Sequence, residues 1–409
     1  MRNLVRLVVL SLFASTLIAC LTACHLFGNS SLTPTPPHTP LPRGTMNYAV
    51  ADDGNSRVLI YNIPFSTDES ASVVLGQPNF TSNTYPTSPS ASSIEPQAIA
   101  VDTYSNLYVA DYSTCRVLQF KPPFTNNMNA SVVFGEPDFV TSGCGSTTTS
   151  EFENVHSIAI DGDGDLWVAD SSSRIMEFVP PFSNGMSATL VIGQPNLTSE
   201  GCNQGGSPTA STICVSRGIN FDASGDLWVS DTDNNRVLEF KPPFSTGMAA
   251  SLELGQPSGA TAFTSNASDN GGISASTLAH PLQPAFDGDG NLWVPDAYNS
   301  RVLEYVPPFS NGMAASLELG QPSATAFTSS TSTVTQSGLN YPHGISFDSS
   351  GNIYVVDERY NRVMIFDPPF SNGMNATAVF GQANFTTDTA NQGGIGANTL
   401  DYPYGGVTF

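Results

Sequence analysis

Asp161-Gly-Asp-Gly-Asp165 sets three carboxylates at alternate positions, a spacing at which a short loop can close on a hard cation such as calcium. The equivalent stretches elsewhere read Asp222-Ala-Ser-Gly-Asp226 and Asp348-Ser-Ser-Gly-Asn352, and no downstream glutamate completes a bidentate ligand. That wording fits a tight hairpin turn better than a cation site. A second charged pattern is Asp followed four or five residues later by Arg: Asp52/Arg57, Asp111/Arg116, Asp170/Arg174, Asp231/Arg236, Asp296/Arg301 and Asp357/Arg362. Because it recurs so regularly it reads as architecture, the carboxylate capping a turn and the guanidinium clamping neighbouring strands. No nucleophile elbow is present to support a Ser/His/Asp triad. The cysteines lack a C-x-x-C spacing, which argues against redox catalysis or structural zinc.

These residues sit in a frame that repeats. Asn47-Tyr-Ala-Val-Ala-Asp52 then Arg57-Val-Leu returns as Asn106-Leu-Tyr-Val-Ala-Asp111 then Arg116-Val-Leu, and so on through Asp357, about every 60 residues. This period is too long for a helical hairpin and suits four strands with their connections. In the last full unit the strands are Gly344-Ile-Ser-Phe-Asp348, Asn352-Ile-Tyr-Val-Val-Asp357, Arg362-Val-Met-Ile-Phe366 and Ala376-Thr-Ala-Val-Phe380. Six four-stranded antiparallel meanders arranged radially make an all-β, six-bladed β-propeller. The chain starts this pattern at a second strand and ends it on a first strand, Tyr402-Pro-Tyr-Gly-Gly-Val-Thr-Phe409. Residues 402–409 are therefore expected to pair with the strand beginning near Asn47 and close the ring, hiding two sheet edges.

The repeated phrases resemble those of the NHL-repeat family from Met46 to Phe409: a first strand P-x-G-φ-x-φ-D, a second G-N-φ-Y-V-A-D and a third N-R-V-φ-x-F, φ being apolar. The resemblance implies a propeller that could serve recognition or catalysis, since both occur on such rings. Trp167, Trp228 and Trp293 take the second-strand position held elsewhere by Tyr48, Tyr108 and Tyr354, so they are expected to pack between blades. The Pro-Pro-Phe-Ser-Asn-Gly-Met segments starting at Pro180, Pro307 and Pro368 are expected to be repeat-wide turns. Units differ just before the first strand, at the mouth of the channel, where the slot reads Gln97, His156, Arg217, Leu282, His343 and Tyr404. Such a variable rim is the candidate ligand-binding site. The peptidylglycine amidating lyase, a related propeller, holds zinc with three channel histidines. His156, His343 and His280 could imitate that set, with Arg217 as charge stabiliser and Tyr404 as acid/base. Against it, His156 and His343 come from opposite sides of the ring, His280 stands two places before its slot, and Arg217 opposes a cation. A calcium-dependent lactonase needs channel carboxylates, and these six slots offer none.

Arg2 and Arg6 precede an apolar run from Leu7 to Ile18, a signal that resembles a lipoprotein leader. Two lipoboxes overlap, Leu17-Ile-Ala-Cys20 and Leu21-Thr-Ala-Cys24; Cys24 is favoured for lipidation, with Cys20 the alternative. Residues 1–24 are thus read as signal, 25–45 as a Pro/Thr-rich spacer, and 46–409 as the propeller. The remaining cysteines suit an oxidising compartment; Cys115–Cys144 and Cys202–Cys214 are the expected pairs among three possible pairings. With 13 basic against 35 acidic residues the net charge is −22, which would repel nucleic acid. Outside the signal and the repeat arginines, the basic residues are Arg43, Lys121, Arg217, Lys241 and Arg359. The long connections between units share their own wording and are expected to raise a collar round the mouth. Together these features describe a lipid-anchored, extracytoplasmic monomer that uses no cofactor and binds a protein, peptide or glycan at its channel face. The alternative is a channel-centred metal-dependent lyase or hydrolase, with zinc or calcium as the metal.

Overall fold

The runs of alternating aromatic and β-branched residues before each repeat aspartate form the second strand (b) of a blade: Asn47–Asp52, Leu107–Asp111, Leu166–Asp170, Leu227–Asp231, Leu292–Asp296 and Ile353–Asp357. The computed structural model describes residues 47–62, 67–145, 147–259 and 261–408. The signal, the spacer, Cys20 and Cys24 lie outside them. Each b strand pairs antiparallel with a third strand (c) that starts at the repeat arginine, in a register that sets Asp52 opposite Arg57, Asp111 opposite Arg116, and so on to Asp357 opposite Arg362. A short outer strand (d) follows, for example Val73–Leu75 or Val132–Phe134. The inner strands (a) are Pro96–Val101, Val155–Ile160, Ser216–Phe221, Ala285–Phe286, Pro342–Phe347 and Pro403–Thr408. Among the described residues the result is six four-stranded sheets.

Ring closure is as the termini of the repeat pattern require. Pro403–Thr408 joins the sheet of the first b strand, with Tyr48 opposite Thr408, Val50 opposite Gly406 and Asp52 opposite Pro403. Gly406 is needed here, because a Cβ at this position would collide with the Tyr48 hydroxyl. Numbering blades by their b strands, the first thus takes its a strand from the C-terminus and the sixth ends at Ala378–Phe380.

Packing between blades uses the aromatic slot. Trp167, Trp228 and Trp293 are fully buried, and each meets a phenylalanine from the Pro-Pro-Phe segment of the next blade edge-on: Phe244, Phe309 and Phe370, at centroid distances of 5.0, 4.8 and 5.0 Å. The indole N–H groups of the three tryptophans donate to Asp161, Asp222 and Asp287 in the a–b turns. Asp161 also accepts the backbone N–H groups of Asp163 and Asp165, so its carboxylate serves the hairpin turn. The Pro-Pro-Phe segments have a further role beyond turning the chain. Asn126, Asn184, Asn311 and Asn372 each accept a backbone N–H from the d strand of the preceding blade, at Val74, Val133, Glu253 and Glu318. The outer strand edges are thereby latched.

Every repeat Asp–Arg pair is wholly buried. At Asp231, one oxygen accepts the Cys214 N–H (2.7 Å) and the other accepts Arg236 Nε (2.7 Å) and Asn234 (2.8 Å). Arg236 then donates to the carbonyls of Thr209 and Thr212 in the connection entering the blade and of Phe263 in the connection leaving it. The guanidinium therefore ties loops, where the sequence suggested strands. Disulfides join Cys115 to Cys144 and Cys202 to Cys214, as expected, with Cα–Cα distances of 5.3 and 4.1 Å. Lys241, outside the repeat pattern, is paired with Asp226 and Glu239, both at 3.1 Å.

Candidate functional site

The strand register brings the end of every b strand beside the start of its a strand, so the b–c turns and the variable slots share one face. The ladder between these strands is broken at the slot in each blade. Gln97 falls between the pairs Pro96–Asp111 and Ala98–Ala110, His156 between Val155–Asp170 and Ser157–Ala169, and Arg217 between Ser216–Asp231 and Gly218–Ser230. His343 and Tyr404 lie in the corresponding shifts after Pro342 and Pro403. Leu282 follows Pro281, which bridges to Asp296. The six slots are thus structurally equivalent, and a bulge is the usual means by which a strand re-aims one side chain. They are unequal in exposure: Arg217 and Tyr404 are half-buried, whereas Leu282 is sealed at 0% exposure and belongs to the packing.

A second ring, unforeseen from the sequence, comes from the residue after each repeat aspartate: Asp53, Tyr112, Ser171, Thr232, Ala297 and Glu358. It contacts the slot ring directly. His156 Nε2 lies 2.9 Å from Ser171 Oγ, and its Nδ1 lies 3.1 Å from Gln97 of the neighbouring blade. Tyr112 packs on the same imidazole at 5.4 Å, and Thr232 Oγ1 accepts the Arg217 N–H. This ring supplies two carboxyls, Asp53 and Glu358, so the mouth is not free of acids as the slot residues alone suggested. The signal was present in the sequence as a variable position following an invariant one.

Four of the buried polar side-chain atoms that lack a hydrogen-bond partner belong to this mouth: Asp53 Oδ1, Glu358 Oε2, Arg217 Nε and His343 Nδ1. Glu358 is 6% exposed and His343 4%. Burial, reinforced by Glu95, Asp52, Glu358 and Asp401, pushes the Asp53 carboxyl up to about 8. Burial likewise raises Glu358 to about 8, against the pull of Arg359 and Arg217. The histidines move the other way. Burial and then the Arg217 charge bring His156 down to about 3 and His280 to about 4, and hold His343 well below the usual imidazole range. Arg217 thus lies within electrostatic reach of histidines from the third, fifth and sixth blades.

The fifth and sixth blades add an aromatic wall. His280 stacks flat on Tyr298 at 4.3 Å, Tyr341 adjoins both, and Arg359 sits 4.3 Å above the Tyr341 ring. His343 meets Tyr404 edge-on at 4.7 Å. Val215, His280, Tyr341 and Tyr402, just ahead of their a strands, all adopt left-handed φ between 46° and 61°. Each such residue costs about 1–3 kcal/mol, which its surroundings must offset. Asn235 and Asn361 do so by accepting the His280 and Tyr402 N–H groups. His280 therefore belongs outside the slot ring. Among the described residues, no group of three or more His, Cys, Asp or Glu side chains is placed to hold a metal ion. Both ring nitrogens of His156 are engaged, and His280 faces tyrosines.

Residues 339–366, which span the first three strands of the sixth blade, match the NHL repeat model. Among curated proteins nothing matches the chain. Among solved structures, a protein of unknown function from Bacteroides caccae is similar at 9% identity over 90% of this chain and 99% of that one, with a TM-score of 0.50. Virginiamycin B lyase from Staphylococcus aureus aligns at 12% identity over 66% of each chain with a TM-score of 0.39, and a streptogramin B lyase at 13% over 71% and 72% with a TM-score of 0.39. At such identities the likeness bears on the fold alone. The chain is a six-bladed β-propeller carrying an NHL repeat.

Proposed function

We propose that this propeller is an extracytoplasmic, lipid-anchored binding module that works as a monomer and takes a protein, peptide or glycan partner at its channel mouth. The carrying observation is the set of partnerless polar atoms at the mouth, in a molecule whose repeat carboxylates and guanidiniums are otherwise fully engaged. Leaving a buried donor or acceptor unpaired costs roughly 1–3 kcal/mol, and a ligand that pairs with it recovers that loss. Two disulfides fit a compartment outside the cytoplasm. Attachment through Cys24, or Cys20, would leave the Pro/Thr spacer to hold the ring away from a bilayer.

The test is to screen peptides and glycans for binding to the wild-type ring and to an Arg217→Gln/Glu358→Gln double variant. Ligands of the mouth should bind the first and lose at least tenfold in affinity for the second. Unchanged binding of every hit would sink the assignment of this face. Metabolic labelling with palmitate, expected for wild type and absent in Cys24→Ala or in the Cys20→Ala/Cys24→Ala pair, checks the anchor separately.

A further inference from the structure

Taking the mouth as the binding site, we infer that it recognises an α-amino acyl group, an ammonium with a carbonyl or carboxylate oxygen one carbon away. Three of its partnerless atoms are acceptors from adjoining blades: Glu358 Oε2 and His343 Nδ1 from the sixth, and Asp53 Oδ1 from the first. No hydrogen bond holds His343 Nδ1, and with the ring kept neutral by burial and by the Arg217 charge that nitrogen is free to present a lone pair. An ammonium carries three N–H donors and so suits three acceptors. Across the channel, the remaining partnerless atom is a donor, Arg217 Nε, which calls for an oxygen. Tyr404 stands where the charges of Glu358, Asp53 and Arg217 all reach it, so the acid and base sides share one space. An overall charge of −22 favours approach of the cationic end. A simple cation would leave Arg217 unanswered, and an anion would meet two carboxyls.

Uptake of an ammonium should also displace protons. Asp53 faces Glu95, Asp52, Glu358 and Asp401, and Glu358 faces Arg359, Arg217 and Asp357. A carboxyl in that setting holds its proton near neutrality and releases it when a cation arrives.

Calorimetry on the full-length protein with L-alanine, trialanine, N-acetyl-trialanine, methylamine, acetate and calcium chloride tests the inference. Trialanine or alanine should bind with proton release, visible as a heat that depends on buffer ionisation. N-acetyl-trialanine, methylamine and acetate should bind at least tenfold more weakly. Binding of both amino compounds would indicate a free amino acid as sufficient, and of trialanine alone a peptide N-terminus. Glu358→Gln and Arg217→Gln, confirmed folded by circular dichroism, should each lose at least tenfold. Equal binding of the acetylated peptide, or calcium binding without the amine, would overturn the inference. If no amino compound binds while a glycan does so through the mouth, this inference falls and the binding assignment stands. If ligands bind but ignore both substitutions, the assignment falls with it.

Discussion

The Asp–Arg junctions and the channel mouth are built from the same kinds of charged residue and treat them in opposite ways. At a junction such as Asp231–Arg236, the carboxylate accepts three hydrogen bonds and the guanidinium spends its donors on loop carbonyls and on Glu253. At the mouth, Asp53, Glu358 and Arg217 each keep a buried polar atom without a partner. Junctions also repeat from blade to blade, whereas the mouth differs at every blade. A charge that recurs and is satisfied holds the ring together; one that varies and is left unsatisfied is available to a ligand.

The comparison is most sharply tested where the ring closes. Removing residues 401–409 takes away the a strand of the first blade, exposes the edge of Asn47–Asp52 and deprives Asp52 of the Asp401 N–H bond. Cooperative unfolding by urea should be lost or shifted to much lower concentration. A truncated chain that melts with the full one would mean that the closing strand contributes nothing.

Next in size is Asp357→Ala. It strands Arg362, whose other hydrogen bonds go to loop carbonyls, in a fully buried site, a change that typically costs about 3–5 kcal/mol. The measurement is the shift in urea midpoint, and a loss below about 1 kcal/mol would place the junction among dispensable ion pairs. The Cys202→Ser/Cys214→Ser variant should lose about 2–3 kcal/mol by the loop-entropy model, since the bridge closes a segment with a separation of 12 residues.

The division between the two regions also explains what could be read from the sequence. Repetition exposes whatever each blade must do alike, so the strand order, the junction pairs, the tryptophan slot, the closure by residues 402–409 and the slot positions were all legible. Equivalence of the slots could be seen even though Leu282 turned out to be buried, because register is set by neighbours and side-chain exposure by the whole ring. Asp53 and Glu358 are masked in the sequence because each stands directly after the strongest repeat signal, at a position that varies from blade to blade and so carries no period of its own. That four partnerless atoms share one mouth is a property of blades meeting across a channel, and the linear period carries no record of it.

The mouth should finally show the converse of the junctions: substitution there stabilises. Asp53 and Glu358 are each raised to about 8, far above their ordinary values of 3.8 and 4.5. Between those limits the folded chain retains a proton that the unfolded chain has released, so stability must fall as pH rises through that window. Below pH 4 both states are protonated and the penalty vanishes. Asp53→Asn and Glu358→Gln remove the titration while keeping the shape, and each should gain about 1–3 kcal/mol at pH 9 and almost nothing at pH 4. Asp53, being only partly buried, should show the smaller gain. Urea midpoints across this pH range read the effect directly. A variant that keeps the wild-type slope would show that these carboxyls are solvated like any surface acid, and the contrast between mouth and junction would disappear.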